Sequence, residues 1–123
     1  MLLEVLKSKI LRAETTDSRI DYEGSLAIDQ DLMDKVGLIT GEKILVGNIN
    51  NGERFETYAI AAPRGSKTFS VRGAAAHLGK AGDLLVIMSF ARMTPEEAKA
   101  FTASTMTLAE RNTKIVKQQN LLS

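Results

Sequence analysis

The sequence contains few side chains of the kinds that usually carry out catalysis. It has one histidine, His77, and no cysteine. Serine–histidine catalysis therefore has a single candidate base, and thiol nucleophiles and thiolate metal sites are excluded. His77 follows the small residues 73–76, a setting in which a histidine is more often structural than catalytic. The phosphate-binding pattern Gly-x-x-x-x-Gly-Lys and the zinc-protease pattern His-Glu-x-x-His do not occur, and we expect no bound metal.

Two polar stretches hold residue types that can do chemistry. Residues 21–25 read DYEGS and end in a Gly-Ser pair, which taken alone is an ordinary turn. Arg54 and Tyr58 lie on one face of a strand, about 13 Å apart, because strand side chains alternate. An arginine fork suits a carboxylate, and a phenol is protonated at neutral pH. Considered alone, Tyr58 is better interpreted as a half-buried strand residue. For Arg54, a role in binding a carboxylate and a solvated surface charge are equally good interpretations. Thr57 faces the other way, so either a β-bulge turns it or it serves the Gly-Ser pair from the opposite side.

Segments with β character dominate the chain up to residue 93 and must position these groups. Strands are predicted at 2–12 (as a pair or as one bent strand), 25–28, 44–49, 54–61, 68–71 and 84–90. The Asn-Gly pair at 51–52 predicts a type I′ hairpin turn, because both central residues of that turn need positive φ.

Two short helices are indicated by their capping residues. Asp29 and Gly37 bracket one helix as N-cap and C-terminal glycine. Thr94, followed by Pro95 and by Glu97 three positions on, predicts the start of a second helix with a capping box. Residues from about 105 to 123 are polar, and we expect a flexible tail there.

Length and composition fit one small soluble domain of 123 residues, 44% hydrophobic and 25% charged. The net charge of +1 gives no electrostatic reason to expect nucleic acid or an anionic membrane as partner. The N-terminus does not resemble a signal peptide, and no apolar stretch approaches about 18 residues. We therefore expect a cytoplasmic, mainly β, single-domain protein with short helices, folded as a barrel.

Five motifs together resemble those of the bacterial aspartate α-decarboxylases. They are YEGS at 22–25, AIDQD at 27–31, NGERF at 51–55, TYAIAA at 57–62 and GAAAH at 73–77. Each motif alone is weak, but their order and spacing are specific, and the resemblance runs from about residue 7 to residue 98.

The resemblance implies a pyruvoyl enzyme with a double-psi β-barrel fold. Such an enzyme converts L-aspartate to β-alanine and carbon dioxide through a Schiff base, for the synthesis of pantothenate and coenzyme A, without pyridoxal phosphate or metal. It is made as a proenzyme that cleaves itself, here between Gly24 and Ser25, into fragments 1–24 and 25–123. The family also implies a homotetramer with active sites between subunits.

The resemblance assigns a role to each matching residue. Ser25 becomes the pyruvoyl group that carries the Schiff base, Tyr58 is the proton donor, and Thr57 supports the oxyanion of self-cleavage. Substrate binding is assigned to Lys9, Arg54, Thr57, Gly73, Ala74 and Ala75. For Lys9 alone, a solvated surface charge is the better interpretation.

One residue departs from the family pattern, and two other classes of protein stay open. Where the family commonly has Asn before the Gly-Ala-Ala-Ala run, this chain has Arg72, which adds a charge and cannot accept a hydrogen bond. Arg72 either points away from the site or replaces a cationic contact. The alternatives are a DNA-binding β-barrel without enzymatic activity and an unprocessed structural protein, for which Arg72 is the one hint.

Overall fold

Nine strands join into one mixed sheet in the computed structural model, which describes residues 1–119. The strands are β1 (Leu3–Glu14), β2 (Asp17–Arg19), β3 (Ser25–Asp29), β4 (Lys43–Asn48), β5 (Arg54–Ala62), β6 (Phe69–Arg72), β7 (Leu84–Met93), β8 (Ser104–Ala109) and β9 (Lys114–Gln119). The helices are α1 (Gln30–Val36), a 3₁₀ helix (Gly73–Leu78) and α2 (Pro95–Ala100). The predicted mainly β, single-domain architecture is confirmed. In the described part of the chain, no helix is long and apolar enough to cross a membrane.

The sheet curls around a single hydrophobic core. Its strand order is β2-β6-β3-β5-β4-β7-β1-β8-β9. Phe69 and Val71 of β6 share one buried cluster with Met106 and Leu108 of β8, although β6 and β8 lie near opposite ends of that order. A flat sheet would hold these two strands about 29 Å apart, at 4.8 Å per strand. The shared core therefore requires strong curvature, which brings the two ends of the sheet together.

The first predicted strand is one long bent strand rather than a pair. β1 runs antiparallel to β7 with register shifts between Leu6 and Ser8 and between Ile10 and Ala13. Arg12 has a φ of 59° at the second shift, as a bulge requires. Residues 8–11 of β1 also pair in parallel with β8. This double pairing fixes Lys9 in the middle of the sheet.

Both helices begin with the predicted caps. The Asp29 carboxylate accepts a hydrogen bond from the Asp31 N–H at 2.9 Å, and Gly37 ends α1 in the left-handed region at φ 74°. At α2, the Thr94 hydroxyl and the Glu97 side chain form the reciprocal capping box. Asp29 is fully buried and also accepts from the backbone N–H groups of Gly65 and Lys67, so it anchors the end of β3.

The predicted hairpin between β4 and β5 is confirmed, but its turn is not type I′. Asn48 and Glu53 close a four-residue loop by a backbone bond of 2.8 Å, and Asn51 lacks the positive φ that the type I′ turn needs. Instead, the Asn48 carbonyl oxygen Oδ1 accepts from the N–H groups of Asn50 and Asn51. Side-chain bonding by Asn48 therefore replaces the expected backbone geometry.

The prediction of a flexible tail from about residue 105 is wrong as far as residue 119. β8 alternates buried and half-buried residues along β1, and β9 pairs with β8. Asn112, 2% exposed, links this segment to the core through hydrogen bonds with both backbone groups of Glu14 and with the Lys67 carbonyl. Residues 120–123, the rest of the predicted tail, lie outside the described residues.

The buried Asp83 carboxylate predicts a loss of stability in acid. Hydrogen bonding from the Asn48 amide, and further from the Lys80 N–H, holds the pKa of Asp83 below its ordinary value despite burial. Its stabilisation is complete above the ordinary Asp pKa of about 3.9 and declines as the pH falls through the lowered folded pKa. Asp83→Asn should lower the free energy of unfolding by about 1–3 kcal/mol at pH 7, and by much less at pH 2.5.

Urea unfolding at the two pH values measures this difference. Glu96→Gln, at an exposed position, is the matched control and should change stability little at either pH. An equal loss of unfolding free energy for Asp83→Asn at both pH values would show that the ionised form of Asp83 is not the source of this stability.

Candidate functional site

The Gly24–Ser25 peptide bond lies where an exposed loop enters the centre of the sheet. Gly24 is exposed in a bend, whereas Ser25 opens β3 and is only 3% exposed. β3 is flanked by β5 on one side and by β6 on the other. The residues beside this bond are therefore set by the register of those two strands.

The strand register places Tyr58 and Arg72 beside Ser25. β3 and β5 run in parallel, with Leu26 paired to Ala59, so Ser25 and Tyr58 are the residues immediately before that pair. One position further back stand Gly24 and Thr57. On the other side, Ser25 pairs directly with Arg72 of β6. Ser25, Tyr58 and Arg72 therefore occupy neighbouring positions on one face of three adjacent strands.

Thr57 lies on the opposite face of β5 from Tyr58. The pairing of β5 with β4 advances one residue at a time from Lys43–Tyr58 to Gly47–Arg54, without a register shift. The bulge that would turn Thr57 toward Tyr58 is therefore not formed, and that interpretation is wrong. Thr57 is half-buried and lies on the same face of β5 as the fully buried Ala59, whereas Tyr58, on the other face, is 38% exposed.

Gly73 packs directly against the backbone of Gly24. A Cβ at position 73 would lie 2.6 Å from both the Cα and the N of Gly24, and 2.9 Å from the carbonyl carbon of Glu23. Gly73 also has a φ of 81°, which disfavours any other residue. Ala74, exposed, and Ala75, half-buried, follow in the 3₁₀ helix. We call Gly24, Ser25, Thr57, Tyr58 and Gly73 the Ser25 cluster.

Arg72 reaches toward the loop that precedes Gly24. Its Nε donates to the Ser70 hydroxyl at 3.3 Å, and its Cζ lies 4.9 Å from the centre of the Tyr22 ring. Arg19 approaches the same ring at 5.8 Å and is paired with Asp17. The contacts of Arg72 with Ser70 and Tyr22 were not predicted from the sequence.

Lys9 and Arg54 line a separate cleft of about 330 Å³, which we call the cation cleft. Its other lining residues include Gly47 of β4 and the apolar Val86 and Met88 of β7. Within residues 1–119, the lining of this cleft includes no member of the Ser25 cluster. The predicted site residues therefore form two groups in one chain rather than one pocket.

His77 lies exposed in another cleft, lined by Asn50, Asn51, Gly79, Lys80 and Asp83. No member of the Ser25 cluster lines that cleft in the described part of the chain.

Comparison with known proteins gives matches along nearly the whole chain. The profile of the family described as aspartate decarboxylase matches residues 1–115. An aspartate 1-decarboxylase of Caldicellulosiruptor saccharolyticus is 48% identical over 120 residues, covering 98% of this chain and 93% of the relative. That of Caulobacter vibrioides is 48% identical over 112 residues, covering 91% and 95%. That of Maricaulis maris is 44% identical over 119 residues, covering 97% and 98%.

The contact between Gly73 and Gly24 predicts that Gly73→Ala destabilises the protein beyond the cost of its backbone conformation. Gly65 is the matched control, because its φ of 80° is nearly the same but a Cβ there meets open space. Gly65→Ala should cost about 1–2 kcal/mol, the usual penalty of the left-handed region. Gly73→Ala should cost at least about 1 kcal/mol more, since Gly24 must shift. Urea unfolding measures both, and equal losses would contradict a tight contact.

Proposed function

Because the chain belongs to the aspartate decarboxylase family, we propose that it converts L-aspartate to β-alanine and carbon dioxide with a pyruvoyl group made from Ser25. The observation that carries this proposal is the packing of Gly24 on Gly73 next to Ser25, with Tyr58 at the adjacent position of β5. A serine hydroxyl and a glycine carbonyl in this setting suit self-cleavage, because glycine has no Cβ to block attack.

Self-cleavage proceeds through the Ser25 hydroxyl. Its Oγ attacks the Gly24 carbonyl carbon, the Gly24–Ser25 C–N bond breaks, and the hydroxyl proton passes to the released amine, which leaves an ester. Loss of the Ser25 Cα proton then breaks the Cβ–Oγ bond and releases residues 1–24 with a carboxylate end. Water hydrolyses the remaining dehydroalanine, so ammonia leaves and a ketone caps residues 25–123.

Thr57 is suited to stabilise the oxyanion formed during this attack. It stands beside Gly24 in the register of β3 and β5, and its side chain lies on the opposite face from Ser25. A donor aimed at a developing oxyanion is worth about 3–4 kcal/mol. Thr57 can therefore act on the Gly24 carbonyl from the side opposite the attacking hydroxyl.

The ketone supplies the electron sink that decarboxylation needs, since no side chain of the twenty amino acids carries a carbonyl of this kind. Tyr58 adjoins that position and would donate a proton from its phenol to the carbon that loses its carboxylate. The small residues Gly73, Ala74 and Ala75 leave backbone groups open to the substrate beside Ser25.

Lys9 and Arg54 would bind the substrate carboxylates, and their position favours a site shared between two copies of the chain. Lys9 lies on β1, four strands from β3 in the sheet order, or about 19 Å along the sheet. The outer face around the cation cleft carries partly exposed apolar side chains, including Met88 and Phe90 of β7. A second copy seated there would bury this surface and bring its Ser25 cluster to the cations.

The family supports three finer proposals: a homotetramer, a double-psi β-barrel fold and a cytoplasmic location. The mixed, strongly curved sheet is compatible with that barrel. Family membership argues against a DNA-binding barrel, whereas the unprocessed alternative is decided by the experiment below.

Intact-mass analysis tests the proposed function. Purified protein should consist of residues 1–24 and of a larger fragment, 25–123, whose N-terminus is a ketone. Borohydride with aspartate should trap an adduct on the larger fragment, and aspartate should release carbon dioxide. Ser25→Ala should stay whole and inactive, while Ser104→Ala, at another buried serine, should still be cleaved. Full-length wild-type protein after prolonged warming, with no carbon dioxide released, would refute the proposal.

Complementation between two inactive variants tests the shared site. Tyr58→Phe should be cleaved but lower kcat by about 10²–10⁴-fold, and Lys9→Ala should raise KM strongly. Co-expressed with separable tags, the two should form mixed oligomers in which some sites take Tyr58 and Lys9 from different, intact copies. Activity of the isolated mixture well above the sum of the two separate variants is expected. If mixed oligomers of verified composition show no gain in activity, Tyr58 and Lys9 of the same chain form one site.

A further inference from the structure

Two arginine side chains lie close to the ring of Tyr22, just ahead of the Gly24–Ser25 bond. The Arg72 Cζ lies 4.9 Å from the centre of its ring, and the Arg19 Cζ lies at 5.8 Å. The Arg19 Nη1 also donates to the Tyr22 hydroxyl at 3.4 Å. Both cation distances fall within the roughly 6 Å over which a ring face attracts a cation.

Both arginines are themselves fixed to strands, whereas Tyr22 belongs to a loop. Arg72 ends β6, pairs with Ser25 and donates from Nε to the buried Ser70. Arg19 ends β2, which pairs with β6, and its Nε donates to Asp17 at 2.7 Å. The ring of Tyr22 is therefore the point at which the loop at 20–24 is attached to two neighbouring strands.

We propose that Arg72 is a positioning residue for self-cleavage, acting through Tyr22, and this inference rests on the proposed function. By stacking on the ring, Arg72 holds the chain two residues upstream of Gly24, while Gly73 supports Gly24 itself. The Gly24 carbonyl carbon must lie about 3–3.5 Å from the Ser25 hydroxyl when the C–O bond forms and the C–N bond breaks. Two points of attachment limit how far that carbonyl can move away.

An arginine is better suited to this position than a lysine. The guanidinium is planar, so Arg72 can donate from Nε to Ser70 while its flat face covers the Tyr22 ring. A lysine ammonium keeps the charge but cannot make both contacts in one orientation. The arginine that departs from the family pattern thus has a specific partner in Tyr22, and it does not point away from the loop.

The test follows the rate of cleavage by intact mass after the uncleaved protein, prepared in the cold, is warmed. Arg72→Gln and Tyr22→Leu should each slow cleavage by about threefold to thirtyfold, the range that a lost cation–π contact allows. Tyr22→Phe keeps the ring and should cleave within about twofold of wild type. Arg72→Lys should fall between wild type and Arg72→Gln.

Coupling between the two residues distinguishes positioning through Tyr22 from a general loss of structure. The double variant Arg72→Gln with Tyr22→Leu should cleave about as slowly as the slower single variant, because both changes remove one contact. Arg64→Gln removes an exposed arginine paired with Asp31 and Asp34 and is the control for lost charge, with an unchanged rate expected.

Two outcomes would overturn the inference. If Arg72→Gln cleaves at the wild-type rate, Arg72 has no positioning role. If the slowing of the double variant equals the product of the slowing of the two single variants, Arg72 does not act through Tyr22. Thermal unfolding shows whether Tyr22→Leu folds. If it does not fold, equal cleavage rates for Arg72→Gln and wild type still contradict the inference. A wild-type chain that never cleaves refutes the proposed function itself, whereas a cleaving wild type with unaffected variants refutes the inference alone.

Discussion

The backbone contact between Gly73 and Gly24 is the constraint on which the arrangement of the site depends. A side chain at position 73 would stand 2.6 Å from the Gly24 Cα, so the loop can enter β3 along this path only past a glycine. Once Gly24 is fixed there, Ser25 opens β3 between β5 and β6, and the register brings Tyr58 and Arg72 beside it. A glycine that the backbone conformation already favours thereby also defines where the Gly24–Ser25 bond lies.

The strand order explains why the predicted site residues form two separate groups in one chain. β3 has β5 and β6 as neighbours, so the Ser25 cluster forms from strands that touch. Lys9 instead lies on β1, which β8 and β7 flank, and the cation cleft opens on β4 and β7. Curvature of the sheet closes the core, and Lys9 lines a cleft to which, in the described residues, the Ser25 cluster contributes no side chain. Under the proposed function, assembly of copies would complete the site.

Features decided by local sequence could be predicted, and features decided by distant pairing could not. The caps at Asp29 and Thr94 follow from a few adjacent residues, and both are formed. The stacking of Arg72 on Tyr22 joins residues 50 positions apart and has no sequence pattern. β8 was missed because its partner, β1, lies about 95 residues earlier, although the alternation of Met106 and Leu108 with threonines was a usable signal. The polar composition of residues 105–123 led to the prediction of a flexible tail, although the alternating pattern indicated a strand.

Neighbouring positions on β5 separate the two reactions that the proposed function requires. Thr57 and Tyr58 adjoin Gly24 and Ser25 in the register, yet their side chains lie on opposite faces of the strand. Under the proposed function, Thr57 would act on the Gly24 carbonyl from the core side, whereas Tyr58 would act on the outer face, beside the position of Ser25. In that proposal, the alternation of a regular strand gives the two neighbouring residues different roles, and an added bulge would place both on the same side.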